Sequence, residues 1–152
     1  MKRIILSLCL ILIGMGAGFT LAGYDRPHNQ DLRLNLPKKL VSEYDTILRA
    51  ARRNDCEGED FVILLAIRMA EAGRAGREFG VLHPRAIDTD LDTQAGWAAA
   101  TVVKNRARWI AAGRQGEYID FLWNRYCPPA AHPLNTHWGP NVKYWIARIE
   151  GE

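Results

Sequence analysis

The chain has little net charge once its first segment is set aside. Its 152 residues include 20 lysines and arginines and 17 aspartates and glutamates. Residues 1–22 hold two of the basic residues and none of the acidic ones, which leaves 18 against 17 and a net charge of +1 in the rest. Nucleic-acid binding requires a broad excess of basic side chains, so this balance argues against nucleic acid as a partner.

The sequence also lacks the short motifs of several catalytic classes. Its histidines form neither a His-Glu-x-x-His pair nor another tight ligand spacing, so no zinc site is predicted. Asp88, Asp90 and Asp92 alternate as in a calcium loop, but the glycine and the closing glutamate of that loop are missing. There is no Ser-His-Asp arrangement and no phosphate loop. We therefore expect neither a metal nor a cofactor.

Residues 1–22 have the layout of a secretory signal peptide. A positively charged start is followed by an apolar stretch over residues 4–13 and by an acceptable cleavage site at Thr20-Leu21-Ala22. The alternative is an uncleaved membrane anchor, because residues 4–22 carry no charge and are nearly long enough to span a bilayer. Both interpretations predict an exported protein, either periplasmic or extracellular.

Cysteine is scarce, and its distribution agrees with export. Cys9 lies in the signal segment, so Cys56 and Cys127 are the two that remain. An even number of cysteines in an exported protein predicts a disulfide, here between Cys56 and Cys127. Closing such a long loop would stabilise the fold by roughly 4 kcal/mol in the chain-entropy model. The alternative is two separate buried thiols.

An unbroken apolar run over residues 61–67 dominates the rest of the chain. Glu59 and Asp60 precede it and suit the first turn of a helix. A helix that is apolar on all sides has no face for water, so it should lie at the centre of a helical domain. We place its end at Glu71, with Gly73 in the left-handed conformation that follows many helices.

Glu71 is the unusual residue of this helix. It shares a face with Leu64 and Ile67 and lies at the negative end of the helix dipole. The dipole and partial burial both favour a protonated carboxyl near neutral pH, which a general acid requires. The alternative is a structural ion pair with Arg68 or Arg74, three residues to either side.

Helical periodicity organises the remaining sequence. The other predicted helices cover residues 40–51, 92–110, 117–125 and 140–149. Residues 74–92 have no helical period and form an irregular lobe, with a short strand or extended segment at residues 79–82. We predict a mainly α, single domain of about five helices around one buried helix. It spans residues 40–150 and follows an extended leader at residues 23–39.

A buried helix that ends in glutamate and leads into a Gly-rich lobe resembles the lysozyme-like superfamily. Within it, the resemblance is to lytic transglycosylases and peptidoglycan glucosaminidases, including small cell-wall hydrolases of phage or prophage type. It rests on residues 67–73, on Phe79-Gly80-Val81, on the helix that starts at Gln94 and on Arg125-Tyr126. The family's Gly-Leu-Met-Gln segment is replaced here by Gly80-Val81-Leu82-His83.

The resemblance implies cleavage of peptidoglycan glycan strands by a monomer, with Glu71 as general acid and base. A transglycosylase needs only this carboxyl, whereas a hydrolase needs a second one. The candidates for a second acid lie in the lobe and are Glu78, Asp88, Asp90 and Asp92. Residues implied to bind substrate are Gly80, Gln94 and Tyr126.

The alternative function belongs to another class. An exported, non-catalytic helical module would bind cell-wall glycan or a partner protein and use Glu71 only in a structural ion pair. The position of Glu71 relative to Arg68 and Arg74 separates the two interpretations.

Overall fold

In a computed structural model that describes residues 32–152, the chain is built from helices, and this part contains no β-strand. The α-helices are α1 Leu32–Asn35, α2 Lys38–Arg52, α3 Gly58–Glu71, α4 Leu91–Ala111, α5 Tyr118–Tyr126 and α6 Trp138–Glu150. Two 3-10 turns, Pro129–Ala131 and Pro133–His137, connect α5 to α6. The predicted mainly α class, with five helices longer than a single turn, is confirmed.

Helix α3 is the centre of the fold. Every side chain from residue 61 to residue 68 is buried, and α2, α4 and α6 pack around the helix. Burying each large apolar side chain stabilises the fold by about 1.5–3 kcal/mol, so this one helix supplies a large share of the core. The predicted burial on all sides is therefore confirmed.

The start of the described region differs from the predicted extended leader. Residues 32–35 form a short helix that packs on α6, and α2 begins at Lys38. The extended leader is wrong for residues 32–39, because Leu36 and Leu40 are buried and draw this segment onto the domain. The predicted signal peptide or anchor lies outside the described residues. Within residues 32–152, no helix has both the length and the hydrophobicity needed to cross a bilayer.

Helices α4 and α6, like α2, begin earlier than predicted. Helix α4 starts at Leu91, because Asp90 Oδ1 accepts a hydrogen bond of 2.7 Å from the Thr93 amide and caps the helix. Helix α6 starts at Trp138, two residues before Pro140. Residues 79–82 lie in turns and irregular backbone and form no strand. Capping thus sets the first boundary, and the lobe stays irregular.

The residue after α3 adopts the left-handed conformation, but it is Ala72 (φ 46°), not Gly73. Gly73 is required for a different reason. A Cβ atom at this position would lie 1.8 Å from the Arg77 carbonyl oxygen. The chain therefore turns back tightly behind Glu71, and the lobe is folded against the end of α3.

The predicted disulfide is not formed, and both cysteines are free. Cys56 precedes the first turn of α3, where burial and the nearby Asp60 raise the pKa of its thiol to about 12. Cys127 lies near the other end of α3, where burial and the charge of Glu71 raise the pKa of its thiol. The 14 residues of α3 separate the two ends. At about 1.5 Å per residue that is roughly 20 Å, and a disulfide requires Cα atoms within about 7 Å.

Candidate active site

Glu71 is the last residue of α3 and is partly buried. Neither of the two arginines predicted to hold it does so. Arg68 Nε and NH2 donate to both carboxyl oxygens of Glu43, at 2.7 and 2.8 Å, and Arg74 pairs with Asp88 at 3.2 Å. Among residues 32–152, no lysine or arginine forms an ion pair with Glu71.

The polar partner of Glu71 is an indole. Trp138 Nε1, at the first residue of α6, donates a hydrogen bond of 2.8 Å to Glu71 Oε1. Burial raises the pKa of Glu71 above its ordinary value, and the hydrogen bond from Trp138 offsets part of that rise. Because no lysine or arginine among residues 32–152 offsets this desolvation, the carboxyl holds its proton to a higher pH than an exposed glutamate does.

Gly80 approaches the Glu71 carboxyl from the lobe. Its φ is +65°, and a Cβ atom on it would lie 2.4 Å from Glu71 Oε2. The positive φ favours glycine, and a side chain at this position would displace the Glu71 carboxyl. The structure brings Gly80 against Glu71, and the implied contact of Gly80 with substrate stays a prediction.

Tyr126 positions this arrangement from the last turn of α5. Its hydroxyl donates a hydrogen bond of 2.6 Å to the Phe79 carbonyl, next to Gly80. Its ring stacks on Trp138 with centroids 5.2 Å apart and planes at 23°. Glu71, Phe79, Gly80, Tyr126 and Trp138 thus form a closed ring of contacts, called here the Glu71 frame. Tyr126 thus packs on Trp138 and binds the Phe79 carbonyl, and its implied contact with substrate stays a prediction.

Gln94 has a different role from the substrate contact that the resemblance implied. Its side chain is 0 % exposed, so it does not reach a bound glycan. Its Nε2 group lies within hydrogen-bonding distance of three lobe carbonyls: Gly76 at 3.0 Å, Val81 at 3.2 Å and Ala86 at 2.6 Å. Gln94 therefore ties the lobe to α4 and positions the segment that carries Gly80.

Asp88, a candidate second acid, has structural partners. It is exposed and accepts hydrogen bonds from Arg77 at 3.3 Å and Arg74 at 3.2 Å. The hydrogen bond and charge of Arg77, with a further contribution from Arg74, hold its pKa below the ordinary value. This carboxylate is engaged in closing the lobe.

The other three candidates differ in their surroundings. Asp90 caps α4 through Thr93, and Asp92 forms an ion pair with Arg53. Glu78 is 7 % exposed, and its Oε2 atom is buried without a hydrogen-bond partner in the described part of the chain. Glu78 is thus the predicted second acid that has a carboxyl oxygen without a hydrogen-bond partner among the described residues. Its side chain is buried away from solvent.

No local pattern in the sequence indicates that Trp138 belongs to the site. The residue lies 67 positions after Glu71, and sequence reasoning placed it at the end of a loop. Only the packing of α6 on α3 brings the two together. Within residues 32–152, no group of three or more histidine, cysteine, aspartate or glutamate side chains is placed to hold a metal ion.

Comparison with known proteins adds no relative. No protein-family model, no curated protein sequence and no solved structure matches the chain. Membership of the lysozyme-like superfamily therefore stays a prediction.

Proposed function

We propose that this protein cleaves the glycan strands of peptidoglycan and that Glu71 is the general acid of the reaction. The observation that supports it is the partly buried Glu71 carboxyl with a raised pKa and no cation partner among the described residues. A carboxyl of this kind retains a proton that it can transfer to a leaving group. Structural acids of this chain, such as Glu43 and Asp88, are paired with arginine.

The chemistry follows from one carboxyl. Glu71 protonates the oxygen of the β-1,4 bond between N-acetylmuramic acid and N-acetylglucosamine, and that bond breaks. The resulting carboxylate accepts a hydrogen bond from Trp138, which stabilises the charge. It then removes the proton from the muramic 6-hydroxyl, whose oxygen attacks C1. Glu71 is protonated again, a 1,6-anhydro end forms, and no water is consumed.

This single-carboxyl route fits the chain better than hydrolysis. A hydrolase requires a second carboxylate to activate water or to act as nucleophile. Asp88, Asp90 and Asp92 are engaged by arginine or by a helix cap, and Glu78 is buried. We therefore propose a lytic transglycosylase, acting as a monomer after export to the compartment that holds the wall.

One observation favours the non-catalytic alternative. The hydrogen bond between Glu71 and Trp138 links α3 to α6, which is a structural task for the same carboxyl. An exported helical module that binds wall glycan or a partner protein would keep this bond without transferring a proton. Substitution of Glu71 separates the two functions.

The test uses purified protein on several types of peptidoglycan, with released fragments weighed by mass spectrometry. The proposal predicts soluble fragments with 1,6-anhydro ends, and loss of their release in Glu71→Gln with the fold retained. Reducing ends would replace the transglycosylase with a hydrolase. Folded protein that releases nothing from any wall, or a Glu71→Gln variant as active as the parent, would overturn the proposal in favour of the binding module.

A further inference from the structure

An exposed aromatic pair lies on the lobe side of α4. The rings of His83 and Trp97 stack with centroids 4.3 Å apart and planes at 22°. His83 is exposed, and Trp97 remains 36 % exposed although the imidazole covers part of it. Leu82, also exposed at 63 %, precedes His83. The surface formed by Leu82, His83 and Trp97 is called here the aromatic platform.

The platform is attached to the segment that contacts Glu71. Gly80 touches the Glu71 carboxyl, and His83 follows three residues later, so at most about 11 Å of chain separates them. Gln94 binds the Val81 carbonyl within this segment and lies one helical turn before Trp97 on α4. Both halves of the platform are therefore attached to the elements that hold the segment beside Glu71.

The size of the platform restricts what it can bind. A stable protein–protein interface buries about 800 Å² on each partner, more than three side chains supply. A pyranose ring matches the outer face of the His83 imidazole, whose inner face is stacked on the Trp97 indole, because the C–H face of the sugar carries partial positive charge and packs against the negative face of an aromatic ring. The sugar's hydroxyl groups stay in water at the edge of such a contact.

We propose that His83 and Trp97 form a stacking subsite for a sugar ring of the glycan strand whose scissile bond lies at Glu71. This inference rests on the proposed function and adds a substrate-binding surface to it. The platform holds a sugar beside the one that is cleaved and thereby sets the position of the strand. It contributes to substrate binding and leaves the proton transfer to Glu71.

The direct test is binding of a tetrasaccharide of N-acetylglucosamine to the Glu71→Gln protein, followed by NMR. We expect the signals of the His83 ring and the Trp97 indole to shift on titration. His83→Ala should weaken binding about tenfold, and Trp97→Phe should weaken it less because a smaller ring remains. Tyr144→Ala removes another exposed aromatic side chain, on α6, and should leave the affinity unchanged.

Activity measurements separate this inference from the proposed function. With Glu71 intact, His83→Ala should raise KM and leave kcat close to that of the parent. Glycan cleavage that depends on Glu71, together with unchanged binding and KM in His83→Ala and Trp97→Phe, would overturn the subsite alone. Tetrasaccharide binding at the platform without any wall cleavage would overturn the enzyme and retain a glycan-binding surface. A tetrasaccharide that leaves both ring signals in place would overturn the subsite in either case.

Discussion

The two ends of helix α3 each hold a partly buried acid, and their surroundings differ. Asp60 lies in the first turn, where Arg106 Nε on α4 donates to its Oδ1 at 2.8 Å. The same guanidinium lies 3.8 Å from the centroid of the Tyr118 ring. Glu71 ends the helix and accepts a hydrogen bond from the indole N–H of Trp138. Asp60 is thus paired with a cation, whereas Glu71 forms no ion pair within residues 32–152.

The difference shows why burial alone does not identify a reactive acid. Burial raises the pKa of Asp60, with Arg106 opposing that rise, and burial also raises the pKa of Glu71. The free-energy cost of desolvating Asp60 is offset by its ion pair with Arg106, which joins α3 to α4. Glu71 forms no such pair within residues 32–152, so its proton is available for transfer.

A cavity of about 640 Å³ lies at the Asp60 end, where its lining includes Glu59, Arg106, Trp109 and Tyr118. Its charged residues are balanced, with Glu59 and Arg106 paired at 3.1 Å. The chemistry of the side chains therefore distinguishes the Glu71 end from this one.

The largest expected effect comes from removing the cation at the Asp60 end. Arg106→Met leaves Asp60 desolvated without its partner, which should lower the free energy of unfolding by about 3 kcal/mol. Arg114→Met is the matched control, because Arg114 lines the same cavity but is exposed. It should change stability by less than about 0.5 kcal/mol. Urea denaturation of both variants measures the free energy of unfolding. Equal losses would show that the ion pair between Arg106 and Asp60 does not stabilise this end of α3.

A methyl group at Gly80 tests the other end. Gly80→Ala forces a Cβ atom into the Glu71 carboxyl and should reduce glycan cleavage by about a hundredfold through misplacement of the acid. Gly116→Ala is the control, since its φ of +70° causes a similar backbone strain and no atom lies within 4 Å of the added Cβ. Strain of about 1 kcal/mol should lower the stability of both. Equal activity in the two variants would remove Gly80 from the site.

Stability against pH should respond to Glu71 with a defined sign. Its folded-state pKa is above the ordinary value of 4.5, so the native state binds this proton more tightly than the unfolded chain. The resulting stabilisation is fully present below pH 4.5 and is lost as pH rises through the folded-state pKa. Glu71→Gln, which stays neutral and still accepts from Trp138, should therefore raise Tm by a few degrees at pH 7 and by less at pH 4. A variant less stable at pH 7 than at pH 4, relative to the parent, would contradict a raised pKa.

The smallest expected effect concerns the two thiols. A reducing agent should leave Tm unchanged to within about 1 °C, because Cys56 and Cys127 lie at opposite ends of α3 and are free. A thiol reagent should label the half-buried Cys127 in the folded protein before the buried Cys56. A loss of several degrees on reduction would show that the two cysteines do meet.

Features of the fold that depend only on local sequence pattern could be predicted from the sequence. The apolar run over residues 61–67 predicted α3 almost to the residue, because a helix without a polar face is stable only when it is buried on all sides. Spacing also placed Glu71 at the end of that helix, as observed, whereas its role as general acid stays a prediction. The same reasoning failed for the cysteines, because an even count carries no information about the distance between their Cα atoms.

Contacts between residues that are distant in the chain could not be predicted from the sequence. Trp138 reaches Glu71 only because α6 packs on α3, and no spacing in the chain encodes that contact. Arg68 stands three residues from Glu71 but turns to Glu43 on α2, where two hydrogen bonds outcompete a single neighbour on the helix surface. Gln94 was predicted near the start of a helix as a substrate contact. The fold buries its side chain, which binds the lobe carbonyls instead.

The most direct test of the account compares the two acids of α3 in one assay. Release of peptidoglycan fragments is measured for the parent protein, Glu71→Gln and Asp60→Asn, each checked by circular dichroism and expressed per folded molecule. The account predicts that Glu71→Gln loses about a hundredfold or more of the activity, as expected for a general acid. Asp60→Asn should lose stability and keep its activity. Cleavage that survives in Glu71→Gln, or that is lost equally in both variants, would contradict the claim that the acid without a cation is the catalytic one.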